Sequence, residues 1–178
     1  CNVCGYKETR NNGKKLAATM KVNAAKLPLK IKQKTTVLKV SGLANGDSVA
    51  SWKSGNTKVV KVSGKPNGTC TLAAGRKKGK TTITIILKSG LKKKITITVQ
   101  KAAVKTAKIT GMPKNLKLKK NQTVTLKAAV APLTSLQKLK YKSSNKKIVT
   151  VTSKGVVKAK KKGNAVITVQ SGSKTVKC

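Results

Sequence analysis

The side chains that could take part in chemistry are few in kind. The 178-residue sequence has four cysteines, no histidine and only two acids, Glu8 and Asp47, against 42 lysines and arginines. Histidine is the commonest general base and metal ligand, and two acids are too few to provide a catalytic carboxylate pair together with supporting partners. Ser–Lys nucleophilic chemistry would need an SxxK-like motif in a recognisable setting, and none stands out. The composition therefore argues against an enzyme, and we expect no cofactor.

Two cysteines form a CxxC pair at the start of the sequence. Cys1 and Cys4 resemble one knuckle of a zinc ribbon, but a structural zinc site needs four ligands, and the sequence has neither a second CxxC pair nor a histidine. Three interpretations stay open: a remnant of a preceding module, which we favour, a disulfide, or a zinc site for which Cys1 and Cys4 are weak candidates. Cys70 alternates with Leu72 and is predicted to be a small core residue, and a Cys70–Cys178 bridge is not expected.

The basic residues are the most conspicuous feature of the composition. The formal net charge is +40, which exceeds what solubility requires and costs stability through self-repulsion. An anionic surrounding, such as teichoic acids, capsule, mucin or extracellular DNA, would screen this charge. The candidate polyanion contacts are three groups of neighbours: Arg76, Lys77 and Lys78; Lys92, Lys93 and Lys94; and Lys160, Lys161 and Lys162.

Specific recognition of nucleic acid is not expected. Arginine is scarce, no aromatic platform for base stacking is evident, and the charge is spread along the whole chain. Non-specific attraction to polyanions, weakening steeply with salt, remains an interpretation of the charge.

The elements that must position these residues are strands. From Lys14 onward, short alternating segments are separated by Gly, Asn and Ser turns, which is typical of an all-β sandwich. No apolar run is long enough to span a membrane. The strands predicted in the first half are Thr19–Val22, Leu27–Ile31, Thr35–Val40, Ser48–Lys53, Val59–Ser63, Thr69–Ala73, Lys80–Leu87 and Lys93–Val99.

The second half repeats the order of the first. WKSGNTKVVKV (52–62) returns as YKSSNKKIVTV (141–151), LKIKQKTTVLKV (29–40) aligns with LKLKKNQTVTLK (116–127), and GKTTITI (79–85) aligns with GNAVITV (163–169). Offsets of 89, 87 and 84 indicate short insertions in loops between conserved strands. We therefore expect two tandem β-sandwich domains, at 14–100 and 104–178, after a Cys-containing tail at 1–13. The segment at 101–107 is expected to be a short linker or a nearly continuous strand-to-strand join.

The end of the second copy is shorter than the end of the first. SGLKKKITITVQ closes the first copy, whereas the second stops at SGSKTVKC, so its final strand is expected to lack about four residues that the first copy has. We expect the natural chain to continue beyond Cys178.

The repeated phrase predicts residues of the hydrophobic core on either side of a turn. Trp52 and Tyr141 begin the two copies, and each is either an exposed aromatic for carbohydrate stacking or a core residue. In a chain without Phe we predict both to be core aromatics. Asn56 and Asn145 follow in a turn, where they can take left-handed geometry or cap their own backbone. The alternating valines that come next are predicted to face inward.

Together these phrases resemble the bacterial immunoglobulin-like domain, group 2. The resemblance rests on aromatic–x–S–x–N–x–x–V–x–x–V followed by a G-x-V strand and a K-x-G-x-A/T-x-I-T-V strand, here SKGVVKAKKKGNAVITV in the second copy. The first copy departs at GKPNGTCTLAAG (64–75), where the turn is enlarged. The resemblance implies a small β-sandwich of bacterial surface and secreted proteins, used as a stalk, adhesive or polysaccharide-proximal module. It carries over no catalytic or binding residue, and the Lys-rich variety resembles that of gut Gram-positive anaerobes.

The function expected is non-enzymatic. We expect an extracellular structural or adhesive module of a cell-surface or secreted protein, whose partners are anionic cell-wall or host polymers and other domains of the same polypeptide. One alternative is self-assembly as a filament building block, through strand exchange or through disulfides of Cys1, Cys4 and Cys178. A second alternative is a non-specific nucleic-acid binder.

Overall fold

The computed structural model describes residues 17–178, which form strands and no helix, as the β-branched composition predicts. The interpretations of the Cys-containing tail and its two cysteines lie outside the described residues. The first-half strands are β1 (Lys21–Val22), β2 (Lys26–Lys30), β3 (Lys34–Thr35), β4 (Val40–Ser41), β5 (Val49–Ser54), β6 (Val60–Gly64), β7 (Cys70–Ala74), β8 (Gly79–Leu87) and β9 (Lys92–Gln100). The second-half strands are β10 (Lys108–Thr110), β11 (Thr123–Thr125), β12 (Ala129–Ala131), β13 (Lys140–Ser143), β14 (Val149–Val151), β15 (Val156–Ala159), β16 (Ile167–Ser171) and β17 (Lys174–Lys177).

The first half packs two sheets around one apolar cluster. The larger sheet has the order β2-β9-β8-β5, the smaller has the order β3-β7-β6, and β1 pairs with β4. Ile83, Ile85 and Ile97 of the larger sheet and Val60 and Leu72 of the smaller are all fully buried in the same cluster. Two sheets with alternating inward residues are the arrangement of a β-sandwich, which confirms the predicted fold class.

The second half repeats this arrangement with a smaller core. Its sheets have the orders β13-β16-β17 and β11-β15-β14, with β10 paired to β12. Ile167 and Val169 face Val157 and Val149 across the cluster. Among the described residues this cluster holds six buried residues against fifteen in the first half, so the second half has less apolar surface to stabilise it.

The repeated phrase is a capped turn between the two sheets. Asn56 Oδ1 accepts the amide of Lys58 at 3.0 Å, and Asn145 Oδ1 accepts the amide of Lys147 at 2.9 Å. The preceding serines act alike, since the Ser54 hydroxyl donates to the carbonyl of residue 60 and the Ser143 hydroxyl to that of residue 149, both at 2.7 Å. Of the two predicted geometries, self-capping is the one adopted; within residues 17–178 the non-glycine residues with positive φ are Lys32 and Asn121.

Two details of the predicted strands were wrong. Thr35–Val40 is not one strand: β3 pairs with β7, whereas β4 pairs with β1, so the chain leaves one sheet for another within this segment. The offset of 87 for LKIK and LKLK was wrong as well. Gln33 and Gln122 each accept the amide three residues earlier with their side-chain oxygen, next to the two positive-φ residues, so the true offset in this turn is 89.

The segment at 101–107 is packed rather than loose. Val104 and Thr106 are buried, and the carbonyl of Val104 accepts the amide of Leu136 at 3.0 Å. The loop after β12 also touches the first half: Leu133 packs against its apolar cluster, and the Gln33 side chain donates to the carbonyl of Thr134 at 3.0 Å. The Thr134 hydroxyl donates to the carbonyl of Pro28.

The serine of the repeated phrase provides a test of this turn. Ser143→Ala leaves the buried carbonyl of Val149 without its donor, and an unpaired buried group costs about 1–3 kcal/mol in the free energy of unfolding. Ser153→Ala is the matched control, because Ser153 is exposed in a turn and its change should stay within about 0.5 kcal/mol. Urea denaturation of both variants measures the difference, and equal stabilities would contradict the role of the Ser143 hydroxyl.

Candidate functional site

The predicted basic groups lie at separate places on the surface. Arg76, Lys77 and Lys78 are exposed in the loop before β8, and Lys160, Lys161 and Lys162 are exposed in the corresponding loop of the second half. Lys92–Lys94 begin β9, where Lys92 pairs with Ile86 near the far end of β8. Ile86 is seven positions along β8 from Gly79, a distance of roughly 23 Å in an extended strand. The first-half groups therefore do not form one site.

Strand alternation also divides one of the groups. Lys92 and Lys94 lie on the outer face of the larger sheet, whereas Lys93 is paired with the buried Ile85 and lies on the opposite face. All three side chains are exposed because they stand at the end of the sheet. Sequence proximity therefore overstated how far these three lysines act together.

The sheet register brings other lysines together instead. Lys53 of β5 and Lys94 of β9 both pair with Thr84 of β8, so the three residues form a straight row across the outer face. In the second half, Lys142 of β13 and Lys177 of β17 both pair with Thr168 of β16. We call Lys53–Thr84–Lys94 and Lys142–Thr168–Lys177 the lysine rows.

The geometry of the two rows is the same. The two lysines of a row are two strand spacings apart, about 10 Å between Cα atoms, and all four lysines are exposed. The half-buried threonine between them places a hydroxyl group between two ammonium groups. Each row is thus a pair of cations with a hydrogen-bonding group at its centre, which suits a linear polymer with repeated anionic groups.

The first-half row continues into a broader basic face. Below it, Lys26 and Thr82 both pair with Thr96, and Lys80 pairs with Thr98. These residues alternate with the buried residues of the same strands, which are Leu27 in β2, Thr81 and Ile83 in β8, and Ile97 and Val99 in β9, so each strand has a core face and a basic outer face.

Asp47 is the acid found within residues 17–178, and it serves a turn. Its carboxylate accepts the Ser89 hydroxyl at 2.6 Å and the amides of Ser48 and Ser89 at 2.8 and 3.2 Å. The Ser89 hydroxyl bond is the main reason why the pKa of Asp47 lies below its ordinary value of 3.8. These bonds tie the turn before β5 to the turn between β8 and β9, around Gly90 as predicted, rather than neutralising a lysine row.

The described cysteines differ in environment. Cys70 is buried, as predicted, with its thiol 3.6 Å from the carbonyl of Leu38, and burial raises its pKa to about 11. Cys178 is half-buried, and both of these cysteines are free. Within residues 17–178 there is no group of three or more His, Cys, Asp or Glu side chains that could hold a metal ion.

The two aromatic residues lie at the margins of the cores. Trp52 and Tyr141 are partly buried and pack against the first and second clusters, respectively. Gly64 and Gly155 stand against their rings: a Cβ added at Gly64 would come within 2.3 Å of the indole, and one at Gly155 within 3.1 Å of the phenol. Desolvation by burial raises the pKa of the Tyr141 hydroxyl. Their assignment as core aromatics stays a prediction.

Comparison with known proteins identifies the second half. Residues 103–178 match the family model of the bacterial Ig-like domain (group 2), and this range contains β10 to β17 and the second lysine row. Residues 103–178 are a bacterial Ig-like domain of group 2. The resemblance carried by YKSSNKKIVTV is thereby confirmed for this segment, and residues 26–100 repeat the phrase, the capped turn and the two facing sheets of the group 2 domain.

One curated relative shares a short segment with this chain. The kappa-carrageenase of Pseudoalteromonas carrageenovora is 50% identical over 58 residues, which cover 32% of this chain and 15% of that enzyme. The chain thus spans only a small part of the length of this relative.

Several solved structures are similar over most of the chain. Domains 5–6 of the S-layer protein SbsC align with a TM-score of 0.44 at 19% identity, covering 89% of this chain and 94% of that one. Domains 4 and 5 of SbsC align with a TM-score of 0.40 at 18% identity, and the alignment covers 90% of this chain and 95% of that one. A C-terminal intimin fragment, solved with an intimin-binding domain, aligns with a TM-score of 0.32 at 17% identity. This alignment covers 90% of this chain and 62% of the fragment. At these scores the likenesses carry no functional argument.

The rows themselves were missed in the sequence. Lys53, Lys142 and Lys177 stand alone in sequence, and only the pairing of three strands makes them neighbours of another lysine. No part of residues 17–178 forms a helix long and apolar enough to cross a membrane.

The depressed pKa of Asp47 predicts an acid-sensitive contribution to stability. A group whose pKa is lower in the folded state stabilises the fold above its unfolded pKa, and this contribution is lost as the pH falls through the folded value. The free energy of unfolding of the wild type minus that of Asp47→Asn should therefore be constant near neutral pH and shrink below about pH 4. Ser89→Ala should reduce the difference, and a difference that stays constant down to about pH 2 would contradict the assignment.

The two thiols should differ in reactivity. The buried Cys70, with its raised pKa, should resist alkylation in the native protein, whereas Cys178 should react within the ordinary time for an accessible thiol. Peptide mass spectrometry after iodoacetamide treatment measures both sites in one sample. Equal labelling of Cys70 and Cys178 without denaturant would show that the first core opens.

Proposed function

We propose that this chain is a non-enzymatic, extracellular module of a bacterial surface or secreted protein, which holds anionic polymers against its basic strand faces. The observation that carries the proposal is the lysine row, which recurs at the same place in both halves. The proposal includes two tandem domains, at 14–100 and 104–178, after a tail at 1–13.

The structural part of this role follows from how the halves are built. Each half has its own apolar cluster, so each half can hold its lysine row in place without packing against the other half. The contacts of the buried Thr134 and the partly buried Leu133 with the first half favour a fixed connection between the two halves. A module of this kind presents its two rows at a constant separation, which is useful along a linear polymer.

The charge supports binding of polyanions rather than one small ligand. All lysines in residues 17–178 are exposed, and the acid in that range is already bonded to Ser48 and Ser89, so the positive field is left for an external counter-charge. Association that releases counterions is strong at low salt and tolerant of polymer sequence. The relative named for kappa-carrageenan is consistent with a polysaccharide as the polymer.

A direct test uses two polymers that differ in sulfate groups. We expect retention on kappa-carrageenan, which carries sulfate, and none on agarose, a neutral galactan, with affinity that falls steeply as salt rises. The row variant should lower the salt slope by about one unit for each lysine that contacts the polymer. It replaces four row lysines by Gln: Lys53, Lys94, Lys142 and Lys177.

The control variant loses the same charge from exposed loops. It replaces Lys65, Lys88, Lys101 and Lys154 by Gln and should bind nearly as well as the wild type. If both variants weaken equally, net charge alone is responsible and the rows are not a site. Retention on agarose, or binding that survives about 1 M salt, would contradict polyanion attraction altogether.

A further inference from the structure

Two turns of the first half contain an asparagine followed by a glycine, at Asn45–Gly46 and at Asn67–Gly68. Asparagine is chemically labile because the carbonyl carbon of its side chain can be attacked by the backbone nitrogen of the next residue. A glycine in that next position favours the attack, since it has no side chain in the way and its backbone is permissive. The two pairs are alike in sequence, so a difference in their native chemistry must come from the fold.

The first turn leaves the reacting groups unrestrained. Asn45 and Gly46 are exposed at the centre of a turn that is closed by the Asp47 amide, which donates to the carbonyl of Ala44 at 3.0 Å. The φ of Gly46 is +77°, as at the third residue of a type II turn. Among residues 17–178 neither the Asn45 side chain nor the Gly46 nitrogen has a hydrogen-bond partner, and a Cβ added at Gly46 would meet no heavy atom within 4 Å.

The second turn holds the same groups in place. The side-chain oxygen of Asn67 accepts the amide of Thr69 at 3.1 Å and its hydroxyl at 2.7 Å. The Gly68 nitrogen donates to the carbonyl of Lys65 at 3.2 Å, and the Gly68 carbonyl accepts the amide of Val40 at 2.8 Å. Gly68 is buried, and a Cβ there would come within 2.6 Å of the Val40 carbonyl oxygen. Attack by the Gly68 nitrogen would therefore require several of these contacts to break first.

We propose that Asn45 is a site of spontaneous modification, at which the side-chain amide is converted to a carboxylate while Asn67 is protected. The backbone nitrogen of Gly46 loses its proton to solvent and forms a bond to Cγ of Asn45. The bond from Cγ to Nδ2 breaks, and Nδ2 takes up a proton and leaves as ammonia. Water then adds to either carbonyl carbon of the resulting succinimide ring, and the ring bond from that carbon to nitrogen breaks. One amide and one water thus give one carboxylate and one ammonia, as aspartate or as isoaspartate.

The isoaspartate product would alter the contacts of Asp47. In isoaspartate the main chain passes through the side chain of residue 45, so the turn gains one backbone carbon atom. The Asp47 amide and carboxylate can then no longer keep both the carbonyl of Ala44 and the hydroxyl of Ser89 as partners. Since the Asp47–Ser89 bond ties the turn before β5 to the turn between β8 and β9, modification loosens this end of the first half as the protein ages.

The test compares the two asparagines within one sample. The full 178-residue chain is kept in its native state at neutral pH and body temperature for several weeks and is then digested with trypsin. Peptides 40–53 and 62–76 each contain a single asparagine, Asn45 and Asn67 respectively, and the Lys65–Pro66 bond resists trypsin. The gain of one mass unit should appear in 40–53 at least roughly tenfold faster than in 62–76. In urea-denatured protein both peptides should gain it at similar rates, because the fold no longer protects Asn67.

Asn45→Gln is the matched control. Its exposed side chain should leave the fold unchanged, and glutamine reacts slowly because its attack would need a larger ring. Peptide 40–53 of this variant should gain no mass, whereas fragmentation of the wild-type peptide should show isoaspartate at position 45. The thermal midpoint of the aged wild type should fall by a few degrees relative to the aged variant, in proportion to its isoaspartate content.

Equal mass gain in the two peptides of the native protein would overturn the proposal, as would a gain confined to 62–76 or none in 40–53 beyond that of Asn45→Gln. An unchanged midpoint in protein rich in isoaspartate would overturn its structural consequence, because the tie between Asp47 and Ser89 would then survive. The outcome does not depend on polymer binding, since Asn45 belongs to neither lysine row.

Discussion

The structure depends on keeping lysine ammonium groups in water. An ammonium group without a partner is too costly to bury, and this chain has two acids for 42 lysines and arginines. Every lysine in residues 17–178 is accordingly exposed. Since about one residue in four is charged, alternation leaves room for a core, as in Ile83–Thr84–Ile85 of β8 and Ile95–Thr96–Ile97 of β9, where the isoleucines face inward and the threonines outward.

The same constraint produces the candidate site and the weak point of the fold. Pairing three alternating strands places lysines in rows about 10 Å apart, so a basic face arises wherever a core sheet forms. A core made almost without aromatic residues needs all its strands. In the second half Leu116 is exposed and the apolar cluster is smaller than in the first half.

Local sequence was sufficient for the architecture and insufficient for the site. Alternation in KKITITV and the echo of WKSGNTKVVKV predicted the sheets, the Asn turns and the inward Val60 and Val149, because these depend on neighbours in sequence. The first lysine row depends on the register between strands, since Lys53 and Lys94 pair with Thr84 from 31 and 10 positions away, and no local pattern specifies the longer pairing. The split of Thr35–Val40 was missed for the same reason, since β4 leaves the sheet to pair with β1.

The central claim is that polyanions bind the strand faces and not the basic loops. Titration of the isotopically labelled protein with a sulfated oligosaccharide, followed by NMR of backbone amides and lysine side chains, tests it residue by residue. The account predicts that the largest shifts fall on the two lysine rows, with Thr84 and Thr168 among them. Shifts spread evenly over all lysines, or confined to the loops at 76–78 and 160–162, would contradict it.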